Sequence, residues 1–299
     1  MTWMHAALLS SAIMAVVSIL DSHLVSRRLP GVRAFMLVVG GLHFIYALVL
    51  SRLIPLPADA GATAFGIALL SSVIRTGAIV ILLDGLRHRE VATVIPLVYT
   101  YPVFVAVIAF IVLDERLAWQ QFAAIAIVVL GGVLIALNSG PSRIQMGRPR
   151  SLIIPLASLL FAVADVTGKV ALARITFWNL FWIGALVMGA VFLLISARRS
   201  VLHSLVSLHE RGKMLALVTL NELIAPVGMI ISYWALARGP VSLVSTLLST
   251  RPLFVFLFAL VLSWWAPGFL YWSGGHRLVM VRLLATMMIV AGVAIIELC

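Results

Sequence analysis

Residues 91–138 decide the fold class: VATVIPLVYTYPVFVAVIAFIVLDERLAWQQFAAIAIVVLGGVLIALN. Two apolar runs flank Asp114-Glu115-Arg116, and each is long enough to cross the hydrocarbon core of a bilayer, which takes about 20 residues of α-helix. The charged connection between them is too short to fold by itself. The stretch therefore predicts two transmembrane helices joined by a tight turn.

The composition extends this prediction to the whole chain. Hydrophobic residues make up 63% of the 299 residues, charged residues only 10%, and the mean hydropathy is +1.18. A soluble domain carries about 25% charged residues, because it must cover itself with polar groups. The net charge of +11 fits basic loops facing anionic headgroups, and no basic stretch is long enough to follow a nucleic-acid backbone. Cys299 is the single cysteine and has no intramolecular disulfide partner.

We predict an all-α polytopic membrane protein with ten transmembrane helices, because only helices satisfy the backbone economically in lipid. The predicted spans are 4–24, 34–51, 63–83, 91–113, 118–138, 151–172, 176–196, 214–237, 241–264 and 279–298.

The chain also repeats itself. LRHREVATVIPLVYTYPVF at 86–104 and LARGPVSLVSTLLSTRPLF at 236–254 are identical at seven of 19 positions, including a shared Thr-x-Pro-x-Phe. This divides the chain into a first five-helix repeat at 1–138, a linker loop at 139–150 and a second five-helix repeat at 151–299. Five is an odd number, so the two repeats must have opposite orientations in the membrane. Inverted repeats are typical of secondary transporters that work by alternating access.

The Pro-Val-Phe of the fourth span, Asp114-Glu115-Arg116-Leu117 after it and Gly131-Gly132-Val133 in the fifth resemble the drug/metabolite transporter superfamily, and most closely its EamA-like exporters. The resemblance covers essentially the whole chain and implies the same ten-helix fold. The second half departs from it, because the ninth span ends in Ser263-Trp264-Trp265 without the acidic pair and a Gly/aromatic insertion follows.

The orientation stays open. Loops that follow odd-numbered helices, together with Arg282 at the start of the tenth span, hold 14 Lys and Arg residues, and the other loops hold four. This bias places both termini outside the cytoplasm. The resemblance implies the opposite, with both termini inside.

Ionisable residues inside a membrane are expensive and mark functional sites. Arg75 lies in the middle of the third span, and the repeat alignment matches its neighbourhood to Glu222 in the eighth, next to Asn221. We predict that Arg75 and Glu222 approach each other across a central cavity and, with Asn221, bind substrate. A structural salt bridge is the alternative.

Arg251 lies beside Pro252 in the ninth span, and its repeat mate is Tyr101 beside Pro102. A proline kinks a helix and frees a backbone carbonyl, which at membrane depth must face protein or a water-filled cavity. Tyr99 and Tyr101 are expected at the same level and complete the predicted substrate site. In superfamily members that carry phosphorylated solutes, basic residues on this helix contact the anion, so the resemblance suggests that Arg251 anchors an anion or a carboxylate.

Further polar residues are candidates for coupling or gating together with Glu222. Asp165 and Lys169 are spaced i, i+4 on the sixth span and are expected to pair on one face. His43 on the second span is a weaker candidate, since a lone histidine is more often a packing residue. Asp21 lies near the end of the first span and is expected to face water.

No nucleophile elbow, phosphate-binding loop or metal-ligand spacing occurs, so we expect no enzyme, catalytic residue, metal or cofactor. The leading hypothesis is a secondary transporter that exports a small anionic or zwitterionic metabolite, such as an amino acid, from a bacterial inner membrane. Two arginines against Glu222 favour a negative group on the solute. The coupling partner would be a proton or an exchanged solute. The alternatives are a multidrug or lipid-linked carrier translocase of the same fold and a non-transporting membrane scaffold. We expect the chain to contact membrane lipid and not to bind nucleic acid. It would be a monomer or a homodimer.

Overall fold

The computed structural model describes residues 2–88, 94–95, 98–137, 153–208, 211–265 and 276–298, and within them every regular element is a helix. The helices are α1 (Trp3–His23), α2 (Val32–Leu53), α3 (Gly61–His88), α4 (Pro102–Leu113), α5 (Trp119–Leu137), α6 (Ile153–Ala171), α7 (Phe177–Ser196), α8 (Arg199–Val206), α9 (Arg211–Arg238), α10 (Val241–Leu248), α11 (Arg251–Trp265) and α12 (His276–Leu298). A π-helical turn, Leu24–Arg28, extends α1. The predicted linker 139–150 and the insertion before α12 lie outside the described residues.

Six helical segments in the described part of the chain are long and apolar enough to cross a membrane: Trp3–Ser26, Val32–Leu53, Gly61–Arg87, Phe177–Ser196, Arg211–Arg238 and Val241–Leu262. Three further apolar helices are shorter, at Pro102–Leu113, Trp119–Leu134 and Leu283–Leu298. Large apolar side chains on the outside, such as Leu53, Ile111 and Met280, are at least 70% exposed, as expected for a surface covered by lipid. The all-helical fold is confirmed, and the count of ten spans stays a prediction.

Two elements differ from the predicted spans. The loop predicted at 197–213 contains the short helix α8, which buries none of its residues. The predicted ninth span, 241–264, is broken at Ser249 and Thr250 into α10 and α11. The cause of the break is Pro252, which has no N–H to continue the helical ladder.

Local sequence signals fix several helix ends. Thr176 and Asn179 form a capping box at the start of α7. The Asn179 amide also donates to the carbonyl oxygens of Ile54 and Pro55, which ties α7 to the segment after α2. Asp114 ends α4 in the left-handed conformation at φ 49° and turns the chain toward α5.

The main helix–helix contacts stay the same when each helix of one predicted repeat is exchanged with its equivalent in the other repeat. The repeat alignment matches α1, α2, α3, α4 and α5 with α6, α7, α9, the α10–α11 unit and α12. The most extensive contacts join α2 to α7, α3 to α6, α5 to α12 and α1 to α9. Exchanging the halves converts the α3–α6 pair into the α9–α1 pair and leaves the other two unchanged.

Glycines allow one of these pairs to pack closely. A Cβ on Gly292 of α12 would lie 2.5 Å from Val128 Cγ2, and a Cβ on Gly131 of α5 would lie 2.8 Å from Ile289 Cγ1. Each helix therefore has a glycine where the partner helix approaches. Without a side chain there, the two backbones can pack closely, as at other contacts between membrane helices.

The proline in the first repeat frees a carbonyl that receives a donor from the other half. Pro102 begins α4 and has no N–H for the carbonyl of Val98, four residues earlier. The hydroxyl of Ser158 on α6 donates to that Val98 oxygen at 2.8 Å, and Thr100 Oγ1 lies 3.4 Å from Ser158 Oγ.

The second repeat contains the same arrangement with the halves exchanged. Pro252 leaves the carbonyl of Leu248 without its helical donor. The hydroxyl of Ser11 on α1 donates to this oxygen at 3.2 Å, and Thr250 Oγ1 lies 3.1 Å from Ser11 Oγ. Both freed carbonyls therefore face protein, as the sequence argument requires.

Candidate functional site

A cavity occupies the middle of the bundle, with about 1120 Å³ of free space including its open part. It lies among α1, α2, α3, α6, α7, α9 and the start of α11. The sequence-predicted site residues that line it are Arg75, Tyr99, Tyr101, Glu222, Arg251, Asp165 and His43. The structure thus collects these seven residues in one place from six separate segments.

Arg75 and Asp165 form an ion pair between α3 and α6, through Nη2 and Oδ1. Ser245 donates its hydroxyl to the other carboxylate oxygen of Asp165 at 3.0 Å. The Arg75 guanidinium also lies over the ring of Tyr233, 5.3 Å from its centroid. Arg75 and Glu222 both line the central cavity, but the structural salt bridge considered as the alternative joins Arg75 to Asp165 on the adjoining helix α6, and not to Glu222.

Asn221 connects two carboxylates on the opposite side of the cavity. Its Nδ2 donates to Asp21 Oδ1 at 2.8 Å and to Glu222 Oε1 at 3.2 Å. Asn221 and Glu222 are buried, and Asn221 Oδ1 and Glu222 Oε2 have no hydrogen-bond partner among the described residues. The cluster formed by Asp21, Asn221 and Glu222, called the acidic cluster below, therefore offers acceptors that lack a donor.

α2 supports this cluster. His43 Nδ1 lies 3.3 Å from Glu222 Oε2 and 3.1 Å from the carbonyl oxygen of Val39. Pro226 inside α9 cannot donate to the Glu222 carbonyl four residues earlier, and the hydroxyl of Tyr46 donates to it instead at 2.9 Å. His43, a weak candidate from sequence, is thus in contact with the strongest acidic candidate.

Arg251 is a buried cation at the start of α11. Its guanidinium carbon lies 4.4 Å from the ring centroid of Tyr99, and no described residue accepts a hydrogen bond from its Nε. Tyr99 packs edge-on against Tyr101, with ring centroids 5.6 Å apart. The break before Pro252 brings Arg251 to this level, and the turn before Pro102 brings the two tyrosines.

Lys169 lies outside the cavity and is not the partner of Asp165, so that predicted pair is wrong. Its Nζ donates to the carbonyl oxygens of Leu236 and Gly239, both at 2.8 Å, where α9 ends. The last carbonyls of a helix lack intrahelical donors and attract a cation. The Lys169 ammonium therefore binds these carbonyl oxygens and not the Asp165 carboxylate. Asp165 in turn is held by Arg75.

Glu115 adds a contact between the halves near Lys169. Its Oε1 accepts from the backbone N–H of Ser242 in the first turn of α10, at 3.3 Å. Burial raises the pKa of the Glu115 carboxyl above its ordinary value.

The sequence argument missed Asp21 and Tyr233 as members of the site. Asp21 was expected to face water, but it lines the cavity and bonds to Asn221. The signal that could have found it is an acid within an apolar span, but the predicted span ends three residues later, where an acid is expected to reach water. Tyr233 carries no comparable signal, since a tyrosine in an apolar helix is unremarkable in composition.

Among the described residues, no group of three or more His, Cys, Asp or Glu side chains could hold a metal ion.

The family model for EamA-like transporters matches residues 1–137. Residues 1–137 belong to the EamA-like transporter family. This family is part of the drug/metabolite transporter superfamily, and its members are transporters. The matched EamA region coincides with the first predicted repeat and ends one residue before its predicted boundary. The match, together with the long apolar helices, supports an integral membrane protein.

Among curated proteins, none matches this sequence. A crystal structure of another protein superposes on the chain with a TM-score of 0.66 at 16% identity, covering 99% of this chain and 95% of the other. That likeness extends the shared fold beyond the EamA region to nearly all of the chain.

Proposed function

We propose that this protein is a secondary transporter that exports a small zwitterionic metabolite, such as an amino acid, through the central cavity. The solute's carboxylate would bind Arg251 and its ammonium group would bind the acidic cluster. The observation that carries the proposal is the buried guanidinium of Arg251, which lines the cavity without an ion pair to any described carboxylate.

A buried cation without a direct ion pair is costly and marks a place where a ligand can supply the opposite charge. Arg251 lies against the face of Tyr99, which supports the guanidinium while leaving its hydrogen-bond donors for a ligand. Arg75 cannot have the same role, because Asp165 and Tyr233 already engage it.

The acidic cluster supplies the complementary charge. Among the described residues, Glu222 Oε2 and Asn221 Oδ1 accept no hydrogen bond, although His43 Nδ1 lies 3.3 Å from Oε2, and a primary ammonium brings three donors. The cavity contains Asp21, Asp165 and Glu222 against Arg75 and Arg251. The sequence predicted two arginines and one glutamate in the cavity, whereas its lining contains three acidic side chains and two arginines. This balance favours a zwitterion over a simple anion.

The remaining lining is apolar. Phe161, Met188 and Phe192 are among the side chains that face the cavity. They would receive an apolar side chain on the solute, as most small-molecule sites combine an apolar wall with a few polar groups.

Alternating access is supported by the exchange symmetry of the packing. The Ser158–Val98 and Ser11–Leu248 hydrogen bonds are equivalent contacts made in opposite halves. Two inverted five-helix repeats with such equivalent contacts can exchange conformations to open one side and then the other. A proton or an exchanged solute would complete the cycle at Glu222, and a bacterial inner membrane would house the chain as a monomer or a homodimer.

A multidrug exporter is the second candidate, because the same apolar walls and the acidic cluster would accept a lipophilic cation. It predicts transport that does not depend on Arg251. A non-transporting scaffold would tolerate alanine at Arg75, Glu222 and Arg251 alike.

The test is uptake into proteoliposomes of the twenty amino acids. The best amino acid is then compared with two analogues, its des-amino acid and its decarboxylated amine. We expect the wild type to prefer the amino acid to both analogues at least tenfold. Glu222→Gln should lower uptake of the amino acid and abolish its preference over the des-amino acid. Preferred uptake of the amine or of lipophilic cations, unchanged by Arg251→Gln, would favour the multidrug exporter.

A further inference from the structure

A groove next to α8 shares no lining residue with the central cavity. It has about 800 Å³ of free space and is open to the surroundings. Its walls come from the turn after α1, from α2, from α8 and from the first turns of α9. Apolar side chains form all of the lining except Arg211.

α8 has the pattern of a helix that lies in a membrane interface. Leu202, Leu205 and Val206 recur at i, i+3 and i+4 and form one face, while Ser200 and Ser204 lie on the opposite face and Arg199 lies at the edge of the apolar face, one turn before Leu202. Leu202 is 57% exposed and Val206 is 60% exposed, so the bundle leaves much of the apolar face uncovered. Such a helix buries that face between headgroups and acyl chains.

Positive charge surrounds the mouth of the groove. The connections 27–33 and 197–213 contain seven Lys and Arg residues and a single acidic residue, Glu210. Both connections lie at the same end of the bundle, because α1 and α7 end there and α2 and α9 begin there. Arg198, Arg199 and Arg211 are exposed at this end. Basic pockets at the membrane surface attract anionic headgroups.

We propose that this groove is a binding site for an anionic phospholipid. One acyl chain would lie in the apolar groove between α8 and α9, and the phosphate-containing headgroup would contact Arg211 and the arginines at the start of α8. The occupant is a lipid rather than a peptide, since the groove combines an apolar lining with cations at its rim and lies beside a helix whose apolar face is left exposed. The proposal is independent of the solute that the cavity binds.

The experiment measures phospholipid retained by the purified full-length protein, using native mass spectrometry and thermal stabilisation. The probes are dioleoyl phosphatidylglycerol and dioleoyl phosphatidylcholine, which share acyl chains and differ in headgroup charge. We expect the wild type to retain phosphatidylglycerol preferentially. The triple variant Arg198→Gln, Arg199→Gln, Arg211→Gln should bind it at least tenfold more weakly.

Two further variants separate this site from general charge and from unfolding. The control Arg52→Gln, Arg116→Gln, Arg174→Gln removes three exposed arginines from the other end of the bundle and should keep the preference. Leu215→Trp fills the groove from α9, where Leu215 is 44% exposed, and should weaken binding of phosphatidylglycerol without any change of charge. Equal retention of the two lipids by the wild type, or an equal loss in both triple variants, would overturn the proposal.

Discussion

The hydroxyl of Ser158 on α6 donates to the carbonyl oxygen of Val98, 2.8 Å away in the other half of the chain. This is the carbonyl that Pro102 leaves without a helical donor, and Ser11 satisfies the equivalent carbonyl of Leu248. Each half thus supplies the donor that the proline of the other half makes necessary. The contact joins the two repeats at the level of the cavity, where α4 and α11 begin.

Ser158→Ala should destabilise the protein, because the Val98 carbonyl would be buried without a donor. We expect a loss of about 1–3 kcal/mol in the free energy of unfolding, measured by denaturant titration in detergent micelles. Ser72→Ala is the matched control, since the buried Ser72 hydroxyl bonds to Ala68 of its own helix, whose carbonyl keeps its helical donor. Equal effects of the two substitutions would show that the contact between the halves contributes nothing specific.

Asp165→Asn should remove the negative partner of Arg75 and leave the guanidinium buried without a counter-charge. Loss of one member of a buried ion pair costs about 3–5 kcal/mol, so the melting temperature should fall clearly. Replacing both members, Arg75→Met with Asp165→Leu, should recover much of the loss. If the double variant loses as much stability as Arg75→Met and Asp165→Leu lose in total when made singly, the two residues are not coupled.

Gly292→Leu should disrupt the contact between α12 and α5, since even a Cβ at Gly292 would lie 2.5 Å from Val128 and 3.0 Å from the carbonyl oxygen of Ala124. Overpacking of this kind costs about 1–3 kcal/mol. Gly132→Leu is the control on the same helix pair, because a Cβ there would have no neighbour within 4 Å. The melting temperatures of the two variants give the comparison, and a stable Gly292→Leu would contradict the close crossing.

The raised pKa of Glu115 should make the stability of the folded protein depend on pH. Burial raises the pKa of its carboxyl in the folded protein, so the folded state holds the proton at pH values where the unfolded state has lost it. The contribution of Glu115 is therefore most favourable below its ordinary pKa, and stability falls as the pH rises through the raised value.

Melting curves from about pH 4 to pH 8 test this prediction, a range that begins near the ordinary pKa of a glutamate. Glu115→Gln should remove the part of the fall that belongs to this group. Asp114→Asn alters the neighbouring exposed carboxylate and should leave the fall in place. A pH profile that Glu115→Gln does not alter would contradict the prediction.

The sequence was sufficient for the membrane environment and for the helical fold, and it predicted a kink at Pro102 and at Pro252, though not the complete break before Pro252. It also selected most of the charged residues that line the cavity, because a charge in an apolar span is conspicuous. The depth of each residue follows from its distance to the ends of its span. Repeat alignment gave the same depth to the neighbourhood of Arg75 and to Glu222.

The partners could not be predicted, because depth does not determine which face of a helix meets which neighbour. Arg75 pairs with Asp165 because α3 packs on α6, and this packing is not visible in either segment alone. Asp21 was misjudged for a related reason. α1 continues through a π-helical turn to Arg28, so Asp21 lies deeper than the predicted end of its span suggested.

The central claim is that Arg251 binds the carboxylate of the solute, and isothermal titration of the best-transported amino acid tests it most directly. Arg238→Gln is the matched control, because Arg238 also lies over an aromatic ring, 4.1 Å from the centroid of Trp234, but does not line the cavity. We predict that Arg251→Gln weakens binding at least a hundredfold, about 2.7 kcal/mol, while Arg238→Gln binds as the wild type does. Wild-type affinity in Arg251→Gln would contradict the account.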